Sequence, residues 1–266
     1  MTAVDVDRRT FLEEHANWNG LRRIYVTFDV DWAPDYMIEN ALAILDGGDV
    51  RATFFATHDS PLLRSMAAAG RHEVGIHPYV SPQSSQGDTI DKVLDGLLSA
   101  YPGARGCRFH LLGGSYRDKM RLASVGIRYE ASTLLYRASH LQPVFHRDIG
   151  LLMTPYCWED GIAENAGERM RLAALPLHDA GLKIFNFHPM NAFINGATAD
   201  VRRTFLAACG PLQECPESVA RASRHEGEDG AECVLKQLVA MIGERGIATA
   251  PLGDLWNAAA AAGVVS

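Results

Sequence analysis

Short apolar runs alternate with stretches of helical period along most of the chain. The run Ile24-Tyr25-Val26-Thr27-Phe28 is β-branched and aromatic and gives way to Trp32-Ala33-Pro34, which predicts a buried strand stopping ahead of the proline. Helical spacing over 36–45 ends at Gly47-Gly48. The alternation then repeats, with a strand at 51–57, a helix at 62–69 closed by Gly70, a strand at 73–76 and a helix at about 89–100. A fourth strand is predicted at 107–109, a helix at 117–125, and further strands at 127–130, 151–153, 182–187 and 247–252, before a last helix at 255–262. Such alternation implies an α/β fold with parallel strands and helical crossovers, closed as a barrel or left as an open sheet. Residues 195–232 are the least regular, rich in Gly, Ala and charge, and read as a mobile excursion containing a helix inside a single domain spanning 1–266.

Bulk properties narrow the classes. A chain of 266 residues, 47% hydrophobic and 21% charged, fits one soluble domain with a large core. Its net charge of −7 and lack of a Lys/Arg run argue against nucleic acid as a partner. No apolar stretch approaches the roughly 18 residues that span a bilayer. Residues 1–15 are charged and lack an apolar signal core, so the expected location is the cytoplasm. The five cysteines (Cys107, Cys157, Cys209, Cys215, Cys233) are odd in number and form no Cys-x-x-Cys pair, consistent with reduced thiols there.

Candidate chemistry begins at Asp29 and Asp31. Strand residues two apart point the same way, so both carboxylates are expected to leave the C-terminal end of the first strand together. Carboxylates aimed at one spot repel, and burying them is costly unless a cation or proton lies between them. A lone acidic pair after a strand is by default a turn. Here His58, His77, His110 and His188 also fall at or just after strand ends, and in a parallel barrel those ends converge on one face. Neutral imidazole with carboxylate is the donor set expected for zinc or a related divalent ion, and a catalytic zinc uses three protein ligands plus an open position.

The phrases Thr27-Phe28-Asp29-Val30-Asp31, Ala52-Thr53-Phe54-Phe55 and His72-Glu73-Val74-Gly75-Ile76-His77 resemble the NodB-type polysaccharide deacetylases, carbohydrate esterase family 4. Longer phrases resemble the WbmS-type subgroup: residues 28–34 (FDVDWAP), 54–61 (FFATHDSP) and 185–189 (FNFHP). The resemblance covers roughly 22–195 together with the last strand and helix. It implies a distorted (β/α)7 barrel and a zinc-dependent N-deacetylase. It further implies Asp29 as general base, Asp31 and His77 as metal ligands, and Arg108 as the arginine that pairs with the base and holds it ionised. His188 would be the acid that protonates the leaving amine, oriented by a carboxylate of the Glu159-Asp160 pair, with Asp160 preferred. One position departs from the pattern: where the family usually repeats a histidine four residues after the first, this chain has Ser81. His110 is then the best third ligand. His58 is the second choice and is otherwise assigned to substrate, with Trp158 as a pocket wall and Tyr156 as core.

The resulting expectation is removal of an N-acetyl group from an intracellular amino-sugar substrate: a nucleotide sugar, a glycan intermediate or a natural-product precursor. Two alternatives stand beside it, hydrolysis of a non-sugar amide on the same scaffold and a catalytically silent carbohydrate-binding protein. The second draws on the missing histidine at Ser81.

Overall fold

In the computed structural model, which describes residues 3–265, the strand predicted first lies inside the sheet. Strand β1 (Arg23–Asp29) is buried from Ile24 onward, as its unbroken β-branched and aromatic run requires. On one side it is followed in order by the parallel strands β2 (Ala52–Ala56), β3 (Glu73–Ile76), β4 (Gly106–Cys107) and β5 (Tyr129–Glu130). Strand β6 (Val144–His146) folds back antiparallel on β7 (Leu151–Met153), and β7 runs parallel to β5. Strand β8 (Trp158–Glu159) pairs with β9 (Ile184–Phe187), which lies against the other side of β1, while β10 (Ala248–Thr249) extends the start of β1.

β7 and β8 belong to one extended stretch. Its first residues pair with β5, Tyr156 bridges to Leu134, and its last residues pair with β9. That stretch closes the curl, so the staves are β1, β2, β3, β4, β5, residues 151–159 and β9. This is the expected distorted seven-stave barrel.

Helices follow the first four strands at Asp35–Asp46, Pro61–Ala69, Ile90–Ala100 and Tyr116–Ser124. Their ends obey local chemistry. The Ser60 side chain accepts the Leu63 N–H, Pro61 opens the helix, and Gly70 closes it at φ 71°. Ser115 and Asp118 form a reciprocal capping box at the start of the fourth. An amphipathic inner stripe of each helix covers the barrel, for example Met37, Ile38, Ala41 and Leu45.

Several elements differ from the sequence reading. A helix at Ala3–His15 precedes the barrel, anchored by buried Phe11. The β6 hairpin was not foreseen, because three residues carry too little period to register. The last strand stops at Thr249 because Pro251 opens the helix Leu252–Ala261. The 195–232 excursion holds two α-helices, Ala199–Cys209 and Glu217–Ala222, in place of one. Its ends are drawn together by Asn195, whose Nδ2 donates to the carbonyls of His225 and Gly227, both at 3.1 Å. Among the described residues no helix is long and apolar enough to cross a membrane.

The barrel is closely packed where β4 and β5 meet. A Cβ at Gly106 would lie 2.1 Å from the ring of Tyr129, which is fully buried. Gly106→Ala is therefore expected to cost about 1–3 kcal/mol through overpacking, read as a lowered urea midpoint. A midpoint equal to that of the parent chain would show this contact to be soft.

Candidate active site and metal centre

The first strand ends at Asp29, and the backbone then turns through two consecutive left-handed residues, Asp31 (φ 48°) and Trp32 (φ 59°). Neither is glycine, and each such residue costs of order 1–2 kcal/mol. The turn is held by the Trp32 amide, which donates to Thr57 Oγ1 at 2.7 Å. Strand alternation is thus not what brings Asp31 to the mouth, as the sequence reading supposed; a strained turn does it.

There Asp31 Oδ1 lies 3.1 Å from His77 Nε2 and 3.0 Å from His110 Nδ1, and those two nitrogens are 3.3 Å apart. One donor atom from each of the three residues falls within 4.8 Å of the others. His77 follows β3 directly, while His110 sits past the end of β4, at the start of a 3₁₀ turn (His110–Leu112) placed by its amide bond to the Pro78 carbonyl at 3.0 Å. Burial alone would raise the Asp31 carboxyl, but hydrogen bonds from His110 and His77 and the charge of His188 override it, holding the group far below the usual carboxylate range. Two imidazole nitrogens and one carboxylate oxygen converging on a point match the chemistry of a zinc-type site, so this donor set fits a divalent cation.

His58 and Ser81 stand outside that cluster. His58 Nδ1 is hydrogen-bonded to Thr57 Oγ1 at 3.1 Å, and its ring is half-buried. The Ser81 hydroxyl donates to Gln83 Oε1 within its own loop. Gln86 braces that loop, its Nε2 donating to the carbonyls of Thr57 (2.7 Å) and His77 (3.0 Å).

Beneath the cluster lies a buried polar knot. Arg108, wholly buried, is sandwiched between the rings of Phe55 and Tyr156 at 4.7 and 4.3 Å. Its Nη1 donates to Asp29 Oδ1 (3.0 Å), to Thr27 Oγ1 (2.9 Å) and to Asn186 Oδ1. Asn186 Nδ2 in turn donates to Asp29 Oδ2 at 2.9 Å, so each Asp29 oxygen has its own donor. The sequence reading missed Asn186. Its signal was present: it lies two residues before His188, on the same face of β9.

His188 completes the mouth. Its Nδ1 lies 2.6 Å from Asp160 Oδ1, its amide donates to Asp160 Oδ2 at 2.8 Å, and its Nε2 is 3.5 Å from Asp31 Oδ2. Burial alone would lower the imidazole pKa, but Asp160, with Asp31 and Glu159 behind it, raises it well above 6.5. Glu159 faces the knot instead, accepting the Tyr156 hydroxyl at 2.6 Å, and burial pushes its carboxyl up. Trp158 lies away from the open mouth. It is fully buried with its ring 5.2 Å from Phe187, because its strand position faces the core, not the mouth. Tyr156 is buried as expected.

Comparison with known proteins follows the same line. Residues 26–204 match the family model described as WbmS-like polysaccharide deacetylase. The chain belongs to that family, a group of hydrolases that remove acetyl groups. Among solved structures, a Bordetella bronchiseptica protein, WbmS, provisionally described as a polysaccharide deacetylase involved in O-antigen biosynthesis, is 26% identical. The likeness covers 83% of this chain and 91% of that one, with a TM-score of 0.74. A Mycobacterium smegmatis polysaccharide deacetylase, also provisionally described, is 18% identical over 87% of this chain and 94% of its own, TM-score 0.49. The Bc1960 peptidoglycan N-acetylglucosamine deacetylase is 14% identical over 93% and 95%, TM-score 0.49. No curated protein matches.

Two outcomes follow from this geometry. Arg108→Met would strand Asp29 without its ion-pair partner, and the loss of stability is expected to be about 3–5 kcal/mol by denaturant unfolding; a loss under about 1 kcal/mol would show the pair to be dispensable. For His188, a folded-state pKa raised above the unfolded 6.5 adds stability that is complete below that value and lost as pH rises through the folded one. Asp160→Asn in metal-free protein should thus lower Tm more at about pH 6 than at about pH 9, and NMR titration of His188 should move down. An equal Tm loss at both pH values would refute the coupling.

Proposed function

We propose that this chain, acting as one domain over 1–266, is a divalent-metal-dependent N-deacetylase, with zinc as the metal and an N-acetylated amino sugar of cytoplasmic glycan assembly as the substrate. The observation that carries the reading is the way Asp31 is shared: one oxygen faces His77 and His110, and the other faces His188. That arrangement sets a cation site and a proton donor side by side. Asp31, His77 and His110 would hold the cation, which, when bound, polarises the acetyl carbonyl and makes water acidic enough to attack near neutral pH.

The chain's own groups do the rest. Asp29, fixed at both oxygens by Arg108 and Asn186, accepts the proton from the attacking water. His188, charged through its contact with Asp160, delivers a proton to the departing amine nitrogen. The two groups occupy environments of opposite tendency, a cationic partner beside the base and anionic partners beside the acid. His58 and the loops after the strands are assigned to the sugar. The silent-binding alternative rested on Ser81; the His110 imidazole 3.0 Å from Asp31 supports the enzyme reading instead.

The test combines elemental analysis with acetate release from a panel of N-acetylated sugars. Asp29→Asn should retain metal and lose about 100- to 10,000-fold in kcat. His110→Ala should cut metal occupancy sharply, while His58→Ala should raise KM and leave metal in place. Metal content unchanged in His110→Ala but abolished in His58→Ala would transfer the third ligand to His58. No metal and no acetate from any substrate would sink the proposal.

A further inference from the structure

At the other end of the barrel, where the strands begin, lies a cavity of about 840 Å³, within the size range of small-molecule sites. Its lining includes Arg51 ahead of β2, Glu73 at the start of β3, Arg105 ahead of β4, Arg128 ahead of β5, and Trp256 of the last helix. Arg51 is already paired, with Asp254 at 3.2 Å. Arg105 and Arg128 are not: both are exposed, and neither guanidinium has a hydrogen bond or ion pair with another described residue.

These two residues are neighbours across a parallel ladder. Gly106 stands opposite Tyr129, and the Arg128 amide donates to the Arg105 carbonyl at 2.7 Å. Like charges facing each other destabilise a sheet. The chain carries 32 Asp and Glu residues against 25 Lys and Arg, yet no acid is set between this pair. Glu73, on the same cavity, does not answer the charge. Its Oε2 is engaged by Thr53 Oγ1 (2.9 Å) and the Gly253 amide (2.8 Å), and burial pushes its pKa up. Two adjacent unneutralised guanidinium forks on a cavity too large for one phosphate, with an indole on the wall, ask for two linked anionic groups and a flat organic body.

We propose that this cavity binds a nucleoside diphosphate, with Arg105 and Arg128 on the phosphates and Trp256 against the base. The site is separate from the catalytic mouth and does not depend on the deacetylase reading.

Titration calorimetry with uridine diphosphate at low salt tests it. Saturable binding is expected, weakened about tenfold or more in the Arg105→Ala/Arg128→Ala double variant, the scale of losing charge-assisted hydrogen bonds. That variant should have a Tm no lower than the parent's and keep its acetate release, and Asp31→Asn, at the opposite face, should bind the nucleotide as the parent does. Absence of saturable binding, equal affinity in the double variant, equal heats from inorganic sulfate, or loss of binding in Asp31→Asn would each overturn the proposal.

Discussion

A single guanidinium in the throat of the barrel sets the terms for everything above it. Arg108 has no exposed surface, and a charge in that position is costly unless it is paired. Asp29, Thr27 and Asn186 accept from Nη1 and the Ala131 carbonyl from Nε, two aromatic faces flank the guanidinium, and the buried Nη2 has no hydrogen-bond partner among the described residues. Because those partners come from β1, β9 and the segment after β5, the arginine, which itself follows β4, links strands that are not neighbours in the sheet. Asp29 is held in place by the same contacts that hold the barrel's mouth in shape. Structure and chemistry cannot be separated at this residue.

Above that knot the mouth is crowded with acids: Asp29, Asp31, Glu159 and Asp160 gather within reach of three histidines. The acids do not act alike, because each has a different nearest neighbour. Asp29 faces a permanent cation, Asp31 faces imidazoles on both oxygens, Glu159 faces a phenol, and Asp160 faces one imidazole and a backbone amide. Four carboxylates of similar intrinsic acidity are thereby given four separate surroundings. The chain is a member of the WbmS-like polysaccharide deacetylases, and beside Asp31 it carries His110 while Ser81 stays within its own loop.

Much of this could be read from the residues, and the reason is periodicity. β1, β2 and β3 are four to seven residues long and strongly apolar, so both their existence and their polar terminators stood out. The histidines at strand ends were legible because charge-bearing groups rarely end so many apolar runs. What escaped detection lacked a pattern. β6 is three residues long and β8 two, too short for a two-residue repeat to show. The left-handed turn at Asp31 and Trp32 had no glycine to announce it. The burial of Trp158 against Phe187 had no sequence signal of its own. Asn186 was overlooked because an amide carries no charge to notice, although its Nδ2 donates to Asp29 as Arg108 does.

The stave formed by residues 151–159 has a further consequence. It hands over from β5 to β9 partway along, leaving only the brief pairing of Trp158 and Glu159 to join it to β9. Asp160 hangs from that seam, whereas Asp31, His77 and His110 hang from β1, β3 and β4 on the continuous side of the curl. Parting the seam would carry Asp160 away from His188 and leave Asp31, His77 and His110 in register. The two halves of the mouth thus hang from different seams of the barrel.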